Sequence, residues 1–448
     1  MASRAVVSSV LALGLLWGSG QLARADDLLS LYRQALEANA SYLAARAEAD
    51  AQREVLPQAR AQLLPNLSFS GSKGKNTTEQ TSQGFYGPVT REIDYNSHNY
   101  ALTLKQPLFR AYNFALYAQS KAQVASADAR LEQALQDLAV TVGSAYFDVL
   151  LARSELQVNR SQQQAYEAQM QYAEKAFRAG AGTRTDVDEA RSRLDLVKAQ
   201  AIQLEYKVEF ALDTLRTVVG RPLTPLSTLN PERLELVPPD PVRLEDWVEV
   251  AEQVNPKLRA LRSDVEAAEK EVWKARSGHM PTVDLVAQRS DSKSDSNTTI
   301  GSEYDTKMVG VQVSIPIFSG GYVNSTVRQA QANLEKVRQQ MEAMRREVGL
   351  QVRKEFDGAA QGVHWVKAYT QAVQSAEQTL FSTRKGFQAG TRNSLDILNA
   401  EQSLASAHRD LSRGRYEYVL ARLRLMALVG RLDNEEMSRF NTWLEAGN

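Results

Sequence analysis

The chain has 448 residues and no formal net charge, because 53 basic residues balance 53 acidic ones. This balance indicates no nucleic-acid partner, which would require a basic excess. The absence of cysteine excludes disulfides, thiolate metal ligands, a cysteine nucleophile and a lipid-bearing N-terminal cysteine. A chain of this length is expected to form more than one domain, held together by packing alone.

The N-terminus has the composition of an export signal. Arg4 supplies a short positive region, residues 6–17 are apolar, and Ala23-Arg24-Ala25 is an A-x-A cleavage site. We predict a removable signal peptide over residues 1–25, with a retained membrane anchor as the alternative. No other stretch approaches the length of apolar sequence that a transmembrane helix needs.

The rest of the chain contains two copies of one unit. Matching positions occur in the same order in both halves. They pair Asn39 with Asn255, Arg60 with Arg276, Pro65 with Pro281, Phe177 with Phe387 and Val219 with Val429. An ordered series at a nearly constant offset predicts a duplicated architecture. We expect repeat 1 over residues 26–220, a proline-rich connector over 221–242, repeat 2 over 243–430 and a tail over 431–448.

Each repeat is predicted to contain three helices. They are expected at residues 28–62, 112–179 and 185–219, and again at 244–277, 323–389 and 394–429. Their apolar residues alternate at spacings of three and four, which is typical of coiled coils. The second helix is roughly 100 Å long and about twice the length of the others. The two shorter helices can therefore stack along it, which places the connector and the tail near its middle.

Two strands are predicted between the first and second helices of each repeat, at residues 66–72 and 99–107 and at residues 282–289 and 307–316. Apolar and polar residues alternate along them, as in outer-membrane barrels, although a half-buried soluble sheet has the same pattern. Polar loops at 73–97 and 290–305, and aromatic residues near the strand ends, favour the membrane. Pro107 and Pro316 mark the passage from strand to helix, where a missing N–H is tolerated. Four strands cannot close a barrel, whereas three copies would give twelve.

Together these features resemble the TolC family of outer-membrane efflux proteins. The resemblance rests on the two repeats, on Gln-Pro-Leu-Phe at 106–109 and Ile-Pro-Ile-Phe at 315–318, and on the turns at 177–187 and 387–397. It implies a mainly α fold with a small membrane β-barrel. In such a homotrimer, a twelve-stranded barrel in the outer membrane stands on an α-helical coiled-coil barrel in the periplasm. It also implies a periplasmic adaptor and an inner-membrane ABC exporter or other pump as partners.

The same resemblance places a gate at the turns between the second and third helices. Asp396 matches a ring of three carboxylates that narrows the pore and favours cations. Asp186 and Arg392 match an ionic link between the tips. A structural explanation competes with this one, since both aspartates lie in the first turn of a helix, with Thr185 and Ser394 as possible N-caps.

Two departures from the family pattern predict a less tightly closed gate. Phe387 stands where the family has a hydrogen-bonding tyrosine, and Asn399 stands where it has a second ring of aspartates. The exposed turns themselves are the expected adaptor contacts, and they contain Gly180, Gly182, Thr183, Gly390 and Thr391.

Chemistry is not expected of this chain. The four histidines, His98, His279, His364 and His408, lack metal-ligand spacing, and no phosphate-binding loop or catalytic motif is present. We therefore predict neither an enzyme nor a cofactor. Three functions remain: a duct for type I protein secretion, a duct for multidrug or metal efflux, and a periplasmic coiled-coil adaptor or scaffold without a barrel.

Overall fold

The computed structural model describes residues 26–445, so the predicted signal peptide lies outside it. Repeat 1 contains α1 (Leu28–Ala38), α2 (Ala40–Arg53), α3 (Val55–Ala61), β1 (Asn66–Gly84), β2 (Gly87–Arg110), α4 (Ala111–Arg178) and α5 (Arg184–Val219). The connector contributes β3 (Thr228–Leu229). Repeat 2 contains α6 (Leu244–Val254), α7 (Pro256–Arg276), β4 (Thr282–Lys293), β5 (Glu303–Ser314), α8 (Tyr322–Gln388) and α9 (Ser394–Leu428). The tail adds α10 (Asn434–Thr442) and β6 (Leu444–Glu445).

The first predicted helix of each repeat is divided, so the continuous helices expected at 28–62 and 244–277 are wrong. Asn39 ends α1 and caps α2, where its side chain accepts from the backbone N–H of Tyr42. Asn255 ends α6 and caps α7 by accepting from Leu258. An N-cap residue has a non-helical backbone, so each asparagine interrupts the helix while satisfying the start of the next. A further break at Glu54 separates α2 from α3.

The strands form one antiparallel sheet in the order β1-β2-β4-β5. They are longer than predicted. Residues 73–97, expected to be a loop, instead continue β1 and β2 as a ribbon down to the pair Gly84–Gly87. Cross-strand hydrogen bonds hold this ribbon, including one of 2.9 Å between the Thr81 and Thr90 hydroxyls. The second predicted loop, 290–305, is likewise shortened to residues 294–302.

The shorter helices pack along the long helices α4 and α8, as the predicted helix lengths indicate. In one half of the protein the packing order is α5–α4–α9–α8, and in the other α7 lies between α4 and α8. Close approaches define these contacts, and a Cβ on Gly143 of α4 would lie 2.5 Å from Leu423 Cδ1 of α9. One 18-residue window of α4 is apolar enough to cross a membrane, but 56% of it is buried inside the protein, as in a core helix.

The largest apolar core lies at the middle of α4, where the connector and the tail meet. Strand β3 pairs with β6, so the connector is irregular except for this short strand. The Tyr146 hydroxyl of α4 donates to the Ser227 carbonyl at 2.7 Å. Arg221 binds Asp26 at 2.6 Å. The two ends of the described chain are thus fixed to the same level of the helical layer.

Candidate gate at the helix–helix turns

The turn between α4 and α5 is a tight connection of five residues, 179–183. Gly180 has a φ of +71°, and its N–H donates to the Phe177 carbonyl at 3.0 Å. The Ala181 N–H donates to the Ala176 carbonyl at 2.9 Å. This pair of bonds is a Schellman motif, in which glycine supplies the left-handed conformation that ends the helix.

The turn between α8 and α9 has the same geometry. Gly390 has a φ of +77°, and its N–H donates to the Phe387 carbonyl at 3.0 Å. The Thr391 N–H donates to the Gly386 carbonyl at 2.9 Å. Both turns expose their tips to solvent, because Gly180, Gly390 and Thr391 are all exposed.

Each turn leads into its next helix through a capping box. Thr183 and Asp186 satisfy each other's backbone N–H groups, at 3.1 and 3.2 Å. Asn393 and Asp396 do the same at 3.0 and 2.8 Å. The expected N-caps Thr185 and Ser394 are therefore wrong, since both lie inside the helices. The two aspartates consequently have a structural role at the helix start whatever else they do.

The two turns differ at one pair of contacting positions. In the first, Gly182 lies so close to Ala176 that a Cβ on the glycine would approach the alanine Cβ to 3.1 Å. In the second turn, Gly386 of α8 stands where the first has Ala176, and Arg392 stands where the first has Gly182. A Cβ on Gly386 would lie 2.8 Å from Arg392 Cγ. The missing side chain at Gly386 thus makes room for Arg392, a relationship that no local sequence pattern indicates.

Within one protomer Arg392 lies beside Asp396. Their charged atoms are 4.0 Å apart, and the arginine side chain is 60% exposed. Asp186 accepts instead from the Thr183 hydroxyl at 2.6 Å. The predicted link between Asp186 and Arg392 is not formed inside the described part of this single chain, and it stays a prediction.

The two positions that depart from the family pattern have partners of their own. The Phe387 ring packs edge-on against Tyr172 of α4, with centroids 5.4 Å apart. The Asn399 side chain accepts from Arg193 of α5 at 2.8 Å, and the same guanidinium reaches Gln402. Arg193 therefore joins α5 to α9 across α4. No local sequence pattern indicates this role, because one arginine on a charged helix face is indistinguishable from its neighbours.

Pro107 and Pro316, near the junctions between the sheet and the long helices, lie in different local structures. Pro107 lies within β2, where the register with β4 shifts between Pro107 and Phe109. Such a bulge accommodates a residue that cannot donate to the sheet. Pro316 follows the end of β5 and precedes Gly320 and Gly321, both with positive φ, before α8 begins. Only the second repeat therefore has an irregular junction between strand and helix.

These elements define a class of protein. At one end, a sheet with open edges exposes large apolar side chains along alternate positions, including Phe69 at 71% and Val309 at 77%. At the other end, two capped turns present charged groups. In residues 26–445 no group of three acidic or histidine side chains is placed to hold a metal ion. A rod of helices carrying a membrane sheet is the architecture of an outer-membrane duct.

Comparison with known proteins agrees with this class. The family model for the outer membrane efflux protein matches residues 31–221 and 247–431, one segment in each repeat. The chain belongs to this family. It is 36% identical over 92% of its length to the alkaline protease secretion protein AprF of Pseudomonas aeruginosa, of which 85% is covered. It is 32% identical over 96% of its length to the proteases secretion protein PrtF of Dickeya chrysanthemi, of which 93% is covered.

Similarity extends to TolC and to solved channel structures. The chain is 30% identical to the outer membrane protein TolC of Escherichia coli, over 95% of this chain and 87% of that protein. Its fold matches the outer membrane protein VceC of Vibrio cholerae with a TM-score of 0.78 at 20% identity, over 91% and 97% of the two chains. The chain is therefore an outer-membrane channel protein with a TolC-like fold, and not an enzyme. The periplasmic adaptor or scaffold without a barrel is excluded.

Proposed function

We propose that three copies of this chain form a closed duct. The open edges β1 and β5 of the sheet favour this, since exposed sheet edges are not tolerated in lipid. The helices at the two edges of the protomer also favour a closed ring. In the order α5–α4–α9–α8 the outer members have free flanks, and α5 exposes apolar residues such as Ile202 and Phe210 at 70% and 63%. Head-to-tail association covers both edges at once, as closed rings require.

The proposed cargo is an unfolded protein, passed from an inner-membrane ABC exporter through a periplasmic adaptor to the outside. The observation that carries this assignment is the similarity, over more than 90% of this chain, to two proteins named for protease secretion. The exposed turns at 179–184 and 389–393 are the proposed adaptor contacts. Their hydrogen-bonded and capped backbones suit a docking surface of defined shape.

Efflux of drugs or metal ions is the second candidate. It is favoured by the family description and by weaker similarity to the cation efflux system protein CusC of Escherichia coli, at 22% identity over 65% of this chain. The higher identity and coverage of the protease secretion proteins place type I secretion first.

The gate is proposed to be an assembly of neighbouring chains. Because α5 and α8 lie at opposite edges of one protomer, ring closure brings the start of α5 beside the next protomer's α8–α9 turn. Asp186 would then face the neighbour's Arg392, whose side chain is 60% exposed. Three copies of Asp396 near the threefold axis would bind cations and oppose anionic groups.

Two measurements test the proposal. Purified protein in detergent is expected to have the mass of a trimer and to conduct ions in planar bilayers. In cells that lack their own secretion duct, the chain is expected to restore export of a protease when its exporter and adaptor are present. A monomer without current would overturn the duct. A conducting trimer that restores drug resistance but not protease export would select the efflux alternative.

A further inference from the structure

The sheet has two chemically different faces, and the pairing register assigns each strand residue to one of them. Leu67 pairs with Leu104 and Phe69 with Leu102, so these four side chains share a face. Their exposed, apolar character makes this the lipid-facing side. The even-numbered residues of β1 and the odd-numbered residues of β2 therefore face the interior of the barrel.

The loop between β4 and β5, residues 294–302, lies on that interior side. Asn76 and Tyr95 are paired, and by the alternation both belong to the interior face. The Tyr95 hydroxyl donates to Asn297 Oδ1 of the loop at 3.2 Å. The tip of the loop therefore crosses in front of the interior face instead of extending the line of the strands.

Internal hydrogen bonds give this loop a defined shape. The Ser294 N–H donates to the Ser302 carbonyl at 3.0 Å, and the Gly301 N–H donates to the Ser294 hydroxyl at 2.9 Å. The Thr299 hydroxyl bonds to Asp295 Oδ1 at 2.8 Å. Ser294 is only 3% exposed as a result. A loop that satisfies its own polar groups holds its position without further partners.

The first hairpin, β1 and β2, lies between the 294–302 loop and the lipid side of the sheet. Pairing between β2 and β4 ends at His98 and Lys293, whereas β1 and β2 stay paired up to Gly84 and Gly87. Residues 74–84 and 87–97 thus rise beyond the second hairpin as a ribbon of about 35 Å. This ribbon stands on the lipid side of the loop, so the loop occupies the mouth of the barrel.

We propose that the 294–302 loops of three protomers form a constriction at the outer mouth of the duct. This inference rests on the proposed trimer. Twelve strands about 4.8 Å apart and tilted by about 40° enclose a backbone circle of about 24 Å in diameter. Loops entering from three sides narrow that opening. Their tips carry the hydroxyl and amide groups of Ser296, Asn297 and Thr298, and Asp295 beside them bonds to the Thr299 hydroxyl, so the constriction selects by size and hydrogen bonding.

Cross-linking tests the position of the loops, and the absence of native cysteine makes the test clean. In the full-length trimer, Asn297→Cys treated with a short bis-maleimide is expected to give cross-linked dimers on denaturing gels. Gln83→Cys is the matched control, because it lies on the ribbon face that points away from the interior. It should react with a monofunctional maleimide yet remain monomeric after the bifunctional reagent.

Polymer exclusion tests the constriction itself. A variant in which residues 296–300 are replaced by Gly-Gly is expected to admit larger polyethylene glycols from the outer side in planar bilayers. The size limit from the periplasmic side should not change. A conducting trimer with no Asn297→Cys cross-links, or with an unchanged outer size limit after loop shortening, overturns the constriction alone. A chain that forms neither trimer nor channel overturns the proposed function together with it.

Discussion

The side-chain amide of Asn39 donates to the carbonyl of Val218, at 2.9 Å, and so joins the break in the first helix to the end of α5. Repeat 2 has the same bond between Asn255 and Leu428, at 2.8 Å. Each asparagine also caps the helix that follows it. One residue type thus stabilises two helix ends at once, and the duplication preserves the arrangement.

Replacement of either asparagine should destabilise the protein. Asn39→Ala and Asn255→Ala each remove a cap and a bond to an otherwise unpaired carbonyl, for an expected loss of about 1–2 kcal/mol per site. Because the two asparagines have no hydrogen-bond partner in common, the double variant should lose about the sum. Thermal unfolding followed by circular dichroism measures this. Asn333→Ala, at an exposed position of α8, is the control, and an equal loss there would contradict the assignment.

Gly143 is required by the close approach of α4 and α9. A Cβ at this position would lie 2.5 Å from Leu423 Cδ1, so Gly143→Ala should cost about 1–3 kcal/mol through overpacking. Gly349→Ala in α8 is the matched control, since nothing lies within 4 Å of its added Cβ. There alanine should be neutral or stabilise the helix by up to about 1 kcal/mol. Similar unfolding temperatures for the two variants would refute this reading of the interface.

Asp396 combines a capping role with the proposed cation ring, and one substitution separates them. In the native protein the Asn393 N–H donates to the Asp396 carboxylate at 3.0 Å. Asp396→Asn retains a side-chain oxygen for this bond but removes one charge from each protomer. We expect higher single-channel conductance and weaker block by multivalent cations, with little change in thermal stability. The control is Asp188→Asn, which removes an exposed charge near the start of α5. It should leave both the conductance and the cation block unchanged. Unaltered block in Asp396→Asn would argue for a purely structural aspartate.

Gly386 is expected to control the position of Arg392. Gly386→Ala places a Cβ 2.8 Å from Arg392 Cγ and should push the arginine out of its place. If Arg392 helps to latch the entrance, this variant and Arg392→Ala should both increase the frequency of opening in planar bilayers. Gly349→Ala is the control, because this glycine of α8 is distant from the turn and nothing lies within 4 Å of its added Cβ. A Gly386→Ala channel that opens like the unmodified protein would exclude a latch that depends on this contact.

The stability of the central core should decline at high pH. Burial raises the pKa of Tyr416 from 10.0 to about 12 and raises that of Tyr32 in the same way. Folding thus favours the neutral phenols, and their contribution is complete below pH 10 and lost as the pH rises to about 12. Tyr416→Phe keeps the ring that lies 6.2 Å from Phe147 and should move alkaline unfolding to higher pH. Tyr206→Phe, on the exposed face of α5, should not.

Much of the architecture follows from local sequence patterns. The heptad spacing of α5 and α9, the strand alternation and the ordered matches between the halves predict the two repeats and the lengths of their long helices. The helix ends at Gly180 and Gly390 are also predictable, because a glycine after a long helical pattern indicates the end of that helix. These features depend on neighbours along the chain, so the sequence contains them directly.

The helix breaks and strand lengths were harder to predict. Asn39 and Asn255 interrupt otherwise periodic helices, and their advantage comes from carbonyls at residues 218 and 428, far away in the sequence. Residues 73–97 have the composition of a loop, but cross-strand pairing makes them a ribbon. In both cases a partner distant along the chain decides the local conformation.

By itself, then, the sequence determined the duplicated rod, its membrane hairpins and the family to which it belongs. Tertiary structure alone decided that Gly386 makes room for Arg392, that Arg193 joins α5 to α9, and that Tyr95 of β2 bonds to Asn297 of the 294–302 loop. The physical reason is the range of the interactions. Periodicity and capping act within a few residues, whereas side-chain contacts and sheet register depend on segments that only folding brings together.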